Sequence, residues 1–333
     1  MKVAVVFDTL HPEWDDADYK REVATHVDEA EYEVAEALMA KGHDVRMIGV
    51  KDDIRPPVER LAEFGPDLVF NCCEGFRGDS HYEYAVAAVL EAYGYRHTGS
   101  PATALLVARN KSMSKKILAY HGVRVPDFAT FHPGDAFLRP STLRYPLIVK
   151  PLLEDASIGI AQSSVVAEDE GLAERVKFVH DNFHQAAIAE ELIDGRELYV
   201  GMVGNAVLEL LPIVELTFGK LSKAERRVAT YKAKWNVEYR ERHGIKSRFA
   251  RKLPDPVMAR IREICEATFR ALSLQDYGRV DVRLAHDHEV YVLEVNPNPF
   301  ISFGHEFANS AEKAGMKYPE LIQRIVDEAM ARQ

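Results

Sequence analysis

Two carboxylates and an amide near the end of the chain carry the strongest chemical signal. In Arg279-Val280-Asp281-Val282-Arg283 polar and apolar residues alternate, so Arg279, Asp281 and Arg283 share one face of a strand. Glu294 follows thirteen residues after Asp281 and leads into Val295-Asn296-Pro297-Asn298-Pro299. Glu294 and Asn296 also share a face. If Gly278–Leu284 and Val290–Val295 pair as a hairpin around His286-Asp287-His288, then Asp281, Glu294 and Asn296 converge. Two carboxylates and an amide oxygen are hard ligands, which suit Mg²⁺ better than zinc. Magnesium usually completes its shell with water and substrate phosphates. Arg279 beside it is placed to stabilise phosphoryl charge. Standing alone, the same segment also reads as an Arg–Asp–Glu ladder on a polar sheet face.

Phosphates need cations or backbone cradles. The chain has neither a GxxxxGK[ST] loop nor a GxGxxG, which argues against a P-loop or a Rossmann dinucleotide site. The candidates are Lys111, Lys150 and Lys234. Lys150 stands out because the apolar run Leu147-Ile148-Val149 leads straight into it.

The elements that must position these residues alternate. Strands are expected at Lys2–Phe7, Asp44–Val50 and Asp67–Cys73. Helices are expected at Val23–Lys41, closed by Gly42, and near Pro57–Phe64. Strand–helix alternation over the first hundred residues predicts a small doubly wound parallel lobe. The turn-rich Gly94–Pro101 separates it from a second lobe. A helix over Asn110–Tyr120 and strands over Leu147–Pro151, Ala187–Glu191 and Glu197–Val203 come next. Helices at Pro256–Leu272 and Tyr318–Ala331 flank the hairpin. Between Lys220 and Lys252 twelve Lys/Arg stand against three Glu with no clear periodicity. Such a stretch suits a mobile loop over an anionic ligand. The expected divisions are 1–100, 101–190 and 191–333, with the lid at about 218–252.

Composition narrows the class. The chain has 333 residues, 47% hydrophobic and 28% charged, with a net charge of −10. That is the balance of a globular protein of two or three lobes. Its acidity argues against nucleic acid or an anionic membrane as partner. No apolar run approaches a membrane span. Cys72, Cys73 and Cys265 have no metal-site spacing, and an odd number of thiols suits a reducing, cytoplasmic setting. The opening run is too short and too quickly acidic for a secretory leader.

Taken in order, the motifs resemble the ATP-grasp ligases, and among them the D-alanine–D-alanine ligase branch. The resemblance rests on Thr98-Gly99-Ser100, Asn110-Lys111, Val149-Lys150-Pro151, Ser157-Ile158-Gly159, Glu190 through Glu197, Arg279-Val280-Asp281 and Glu294 through Pro299. It runs from the first strand to the last helix. It implies a three-lobed α/β fold with ATP between the second and third lobes, and a homodimer through the first. Lys111 and Lys150 would meet the ATP phosphates and the adenine pocket. Glu190, Glu191, Leu192 and Ile193 resemble the linker that holds adenine, and Glu197 the residue on the ribose. Ser157 belongs to the small phosphate loop 150–159. Lys234 resembles the lid lysine that reaches the terminal phosphate. Asp281, Glu294 and Asn296 match the ligands of two Mg²⁺ ions, for which Mn²⁺ can substitute. Arg279 matches the arginine over the reacting phosphate; Arg279, Lys234 and Lys150 form the catalytic set.

The substrate side departs from that branch. The family's ammonium-binding glutamate falls on Lys20. Its His-Gly is Glu74-Gly75, and the first of its two loop serines is Ala156. The tyrosine after the lid lysine is Trp235, the glycine of its Asn-x-x-Pro-Gly is Phe300, and its serine-leucine pair is His305-Glu306. A lysine at position 20 favours a carboxylate there. An acid at Glu306 disfavours an α-amino acid docking through its own carboxylate and suits an amine or guanidine. The expected function is therefore ATP-dependent joining of a small carboxylic acid to an amine or amino acid, not to a D-alanine pair. Two readings stay beside it: a D-alanine–D-alanine ligase, and a regulatory nucleotide-binding protein on the same fold.

Overall fold

The computed structural model describes residues 1–13, 30–219, 221–222 and 225–332. Lys20 lies outside them. In chain order the elements are β1 (Lys2–Asp8), α1 (Ala30–Ala40), β2 (Asp44–Val50), α2 (Arg55–Phe64), β3 (Leu68–Asn71), α3 (Glu83–Ala92), α4 (Ala102–Arg109) and α5 (Lys111–Tyr120). Then come β4 (Phe128–Phe131), β5 (Leu147–Pro151), β6 (Val165–Val166), α6 (Asp169–Phe183), β7 (Ala187–Glu191), β8 (Gly195–Gly204), β9 (Leu208–Leu210) and β10 (Val214–Thr217). The last are α7 (Tyr231–Trp235), α8 (Val237–His243), β11 (Lys246–Phe249), α9 (Asp255–Ala271), β12 (Tyr277–Ala285), β13 (Val290–Asn296), α10 (Glu306–Lys313) and α11 (Tyr318–Ala331).

The first sheet is parallel, in the order β2-β1-β3. β1 is a continuous apolar run because both of its faces are covered. Val3, Val5 and Phe7 pack against α1, while Ala4 and Val6 pack with α2 and α3. β3 stops at Asn71, two residues short of the predicted end. The Asn71 carboxamide turns back to accept from the Cys73 backbone N–H, so the chain leaves the ladder there. The far C-terminal helix α11 closes this lobe: Leu321, Ile322, Ile325 and Val326 join the same core as Val3 and Phe70.

The second sheet is antiparallel, in the order β4-β7-β5-β6. Alternation along β5 sends Leu147 and Val149 to α6, and sends Ile148 and Lys150 to the opposite face. The third sheet runs β11-β10-β8-β12-β13, with β9 on β8. Its apolar face, including Leu198, Val200, Val280 and Val282, packs on Ile261, Cys265 and Phe269 of α9. Its polar face carries Glu197, Arg279, Asp281 and Arg283. The polar faces of the second and third sheets enclose a cleft.

The stretch 220–252 departs from the expected aperiodic loop. Its described part holds two short helices and a strand. Thr230 Oγ1 accepts from the Ala233 N–H and Asn236 Oδ1 from the Tyr239 N–H, capping α7 and α8. Helices this short show no usable period in sequence, so the caps were the readable sign.

Candidate functional site

The hairpin β12–β13 places the carboxylates. Its antiparallel register sets Asp281 opposite Glu294 and Arg279 opposite Asn296, with an irregularity after Asp281. Cross-strand neighbours on one face lie close enough to share a ligand. Among the described residues, no three His, Cys, Asp or Glu side chains gather as a metal cluster; here the third oxygen donor is the Asn296 amide. Cations already lie on both acids. Arg279 donates to Asp281 from Nε at 2.6 Å and from Nη2 at 3.0 Å. Lys111 Nζ lies 3.4 Å from Glu294. Burial alone would raise the Glu294 carboxyl, but Lys111, Lys234, Lys150 and Arg279 outweigh it and hold it at about 2. Burial pushes Asp281 upward, and Arg279 opposes this. The Asn296 Nδ2 is buried without a partner. Two ionisable oxygens and an amide amid basic residues fit a hard divalent cation shared with an anionic ligand.

The opposite wall comes from the second sheet. Lys150 Nζ donates to Glu190 Oε2 at 2.8 Å, and Lys115 Nζ lies 3.4 Å from Glu190 Oε1. Glu190 Oε1 is buried and has no hydrogen-bond partner. Burial would raise the Glu190 carboxyl, yet Lys115 and Lys150 bring it below its ordinary value. Glu191 turns its carboxylate to Arg144, which donates from its backbone N–H at 2.8 Å. Glu197 accepts from Arg283 at 2.8 Å and from the Tyr199 hydroxyl at 3.2 Å.

Together these walls form one cleft. Lys150, Ser157, Glu190, Glu191, Leu192, Ile193, Glu197, Lys234, Asp281 and Glu294 all line it. Lys111 and Arg279 adjoin it through Glu294 and Asp281. The Tyr199 ring sits under two cations, with Arg279 at 5.1 Å and Lys234 at 5.7 Å.

The loop after β5 is held from several sides. Ala156, Ser157 and Gly159 all have positive φ. A Cβ at Gly159 would lie 2.6 Å from Pro151 Cγ, so only glycine fits. Lys111 donates to the Glu154 carbonyl. From α7, the Trp235 indole N–H donates to the Ala156 carbonyl at 2.8 Å, although its ring remains exposed.

The residues expected on the substrate side do not form one constellation. Glu306 begins α10 and accepts from Ser247 Oγ of β11 at 2.5 Å. Among the described residues no lysine or arginine pairs with it, yet its charge reaches Arg279 and Tyr199. Phe300 and His305 meet edge to face at 4.6 Å near the start of α10. Glu74 lies elsewhere, among Asp8 and Glu83 of the first lobe and Asp155 of the loop after β5. Desolvation and the charges of Asp8, Glu83 and Asp155 push it up to about 7, against Arg109. Its side chain is still reached by solvent.

Some site residues had no role assigned from sequence. Lys115 is fully buried and donates to the Leu293 carbonyl at 2.8 Å. Its spacing of four from Lys111 was the available sign. Arg283 was placed on the right face but given no partner. Val228 and Ala229 also line the cleft, from a segment without a pattern.

The family model described as D-ala D-ala ligase C-terminus matches residues 117–327. The uncharacterized protein y4sG of Sinorhizobium fredii is 33% identical over 304 residues, covering 90% of this chain and 87% of its own. The D-alanine–D-alanine ligase of Moorella thermoacetica is 28% identical over 305 residues, covering 89% and 92%. In fold, the crystal structure of the Bacillus anthracis D-alanine–D-alanine ligase complexed with ATP matches with a TM-score of 0.75. That match has 21% identity and covers 99% of this chain and 97% of that one. With the matched model spanning more than half of the chain, the protein belongs to the D-ala D-ala ligase C-terminus family, ATP-grasp enzymes that form carbon–nitrogen bonds and release ADP.

Proposed function

We propose that this ligase activates a small carboxylic acid as an acylphosphate and joins it to an amine, and that the pair is not two D-alanines. The observation that carries the reading is the convergence of Asp281 and Glu294 with Lys150 and Lys234 in one cleft. Two anions, a carboxylate and a triphosphate, must approach each other there. Lys150, Lys234 and Arg279 offset their repulsion and hold the terminal phosphoryl group in line. Asp281, Glu294 and Asn296 would hold Mg²⁺, which supplies charge neutralisation to the phosphate oxygens. Glu190 Oε1, which accepts no hydrogen bond in the structure, would accept from the exocyclic amine of adenine, and Glu197 would face the ribose.

The carboxylate oxygen attacks the terminal phosphorus, and ADP leaves. The amine then attacks the acyl carbon, and phosphate departs with the former carboxylate oxygen. Arg279 stabilises the charge on the transferring group. The lid, tied to the phosphate loop through Trp235, keeps water from the acylphosphate.

Glu306 supports the departure from D-alanine. Among the described residues no lysine or arginine forms an ion pair with Glu306, whose charge acts on Arg279, and an acid there repels an acceptor that docks by its own carboxylate. It favours an acceptor with a positively charged group. The test is ADP release with Mg-ATP against paired acids and amines, including D-alanine and diamines. Turnover that requires a non-alanine acid with a cationic amine is expected. Full turnover with D-alanine alone would overturn the reading.

A further inference from the structure

Glu190 is the least exposed acid in the cleft, and two lysines from different elements share it. Lys150 comes from β5 and takes Oε2 at 2.8 Å; Lys115 comes from α5 and sits 3.4 Å from Oε1. Lys115 is itself fully buried and anchored to the Leu293 carbonyl at 2.8 Å. The two lysines are not equivalent. Lys150 lines the cleft, whereas Lys115 does not. Lys111, the remaining cation acting on Glu190, is engaged with Glu294 and the Glu154 carbonyl.

We propose that Lys115 is a positioning residue that sets the choice of nucleobase by keeping Glu190 an anion while Lys150 serves the phosphates. The inference rests on the nucleotide reading of the cleft given above. An ionised carboxylate only accepts hydrogen bonds. Its Oε1, which lies 3.4 Å from Lys115 and accepts no hydrogen bond, therefore welcomes the amino group of adenine and repels the carbonyl oxygen at the same place in guanine. A buried carboxyl stripped of its cation takes up a proton. It then donates as well as accepts, and guanine is no longer refused. A site that leaves a buried polar group unpaired rejects the wrong ligand strongly, so the discrimination is large when Glu190 is charged.

The experiment measures ATP and GTP affinity by calorimetry in the full-length protein, for wild type, Lys115→Met, Glu190→Gln and the double variant. Binding is read directly, so no acid or amine substrate is needed. Wild type is expected to prefer ATP. Lys115→Met should lose at least about tenfold of that preference. In the Glu190→Gln background the same substitution should change the preference little, because both act through one carboxyl. An unchanged ATP-to-GTP ratio in folded Lys115→Met would overturn the proposal, as would an equal loss in both backgrounds. If Lys115→Met does not fold, Lys115→Gln is measured against the same criteria. Wild type binding neither nucleotide would overturn the nucleotide reading itself, a different result from either of these.

Discussion

Asp281 faces Glu294 across the β12–β13 ladder, and each carboxylate already meets a basic side chain, Arg279 on the first and Lys111 on the second. The pair is thus embedded in positive charge before any ligand arrives. That arrangement suits a centre that must gather an anionic nucleotide while Glu294 stays ionised.

Glu294→Gln removes a charge and keeps the shape. We expect turnover to fall by about 10³-fold or more, the scale of several kcal/mol of lost transition-state stabilisation. Thermal stability should fall as well, because the buried Lys111 loses its carboxylate partner. ADP release measured well below the variant's melting temperature checks this; unchanged ADP formation would refute the assignment.

Lys150→Ala should weaken ATP binding by at least about tenfold, or ~1.4 kcal/mol. Lys115 remains to hold Glu190, so the protein should still fold. If ATP affinity by calorimetry is untouched, Lys150 serves structure alone.

Glu74 gives a pH dependence. Its folded value of about 7 lies above the ordinary 4.5. The folded state therefore binds the proton more tightly than the unfolded one. The stability this contributes is complete below pH 4.5 and is lost as pH rises through 7. Glu74→Gln should lack this loss, so its stability relative to wild type should climb between those values and level off above. Denaturant melts of the two proteins across that range provide the measurement. Parallel curves would mean that Glu74 titrates normally.

Gly159→Ala forces a Cβ into Pro151 and Phe183 at a positive φ. The cost should be about 1–3 kcal/mol, seen as a lower melting temperature, with weaker ATP binding as the loop shifts. A melting temperature equal to wild type would show that the loop relaxes freely.

The parts legible in sequence were those where side-chain chemistry and period agree. The polar face of β12 and the Glu294-Val295-Asn296 step both follow the strand period of two, so the hairpin and its acids could be placed together. Lys150 was legible because an apolar strand ran into it. Lys115 was not, because an amphipathic helix shows which residues share a face but not which sheet that face meets. The packing of α11 on the first sheet joins residues more than 300 apart, such as Val3 and Leu321, and no local pattern encodes that. The short helices α7 and α8 are set by the caps Thr230 and Asn236 and by tertiary contact rather than by period.

Activation of a carboxylate by phosphoryl transfer moves one of its oxygens to phosphate. The most direct measurement uses the acid and amine that support turnover, with the acid's carboxylate labelled with ¹⁸O, and mass analysis of the released phosphate. The account predicts one labelled oxygen in the phosphate for each amide formed, because the bond that breaks last lies between the acyl carbon and that oxygen. Phosphate free of label, or a stable phosphorylated product in place of an amide, would contradict it.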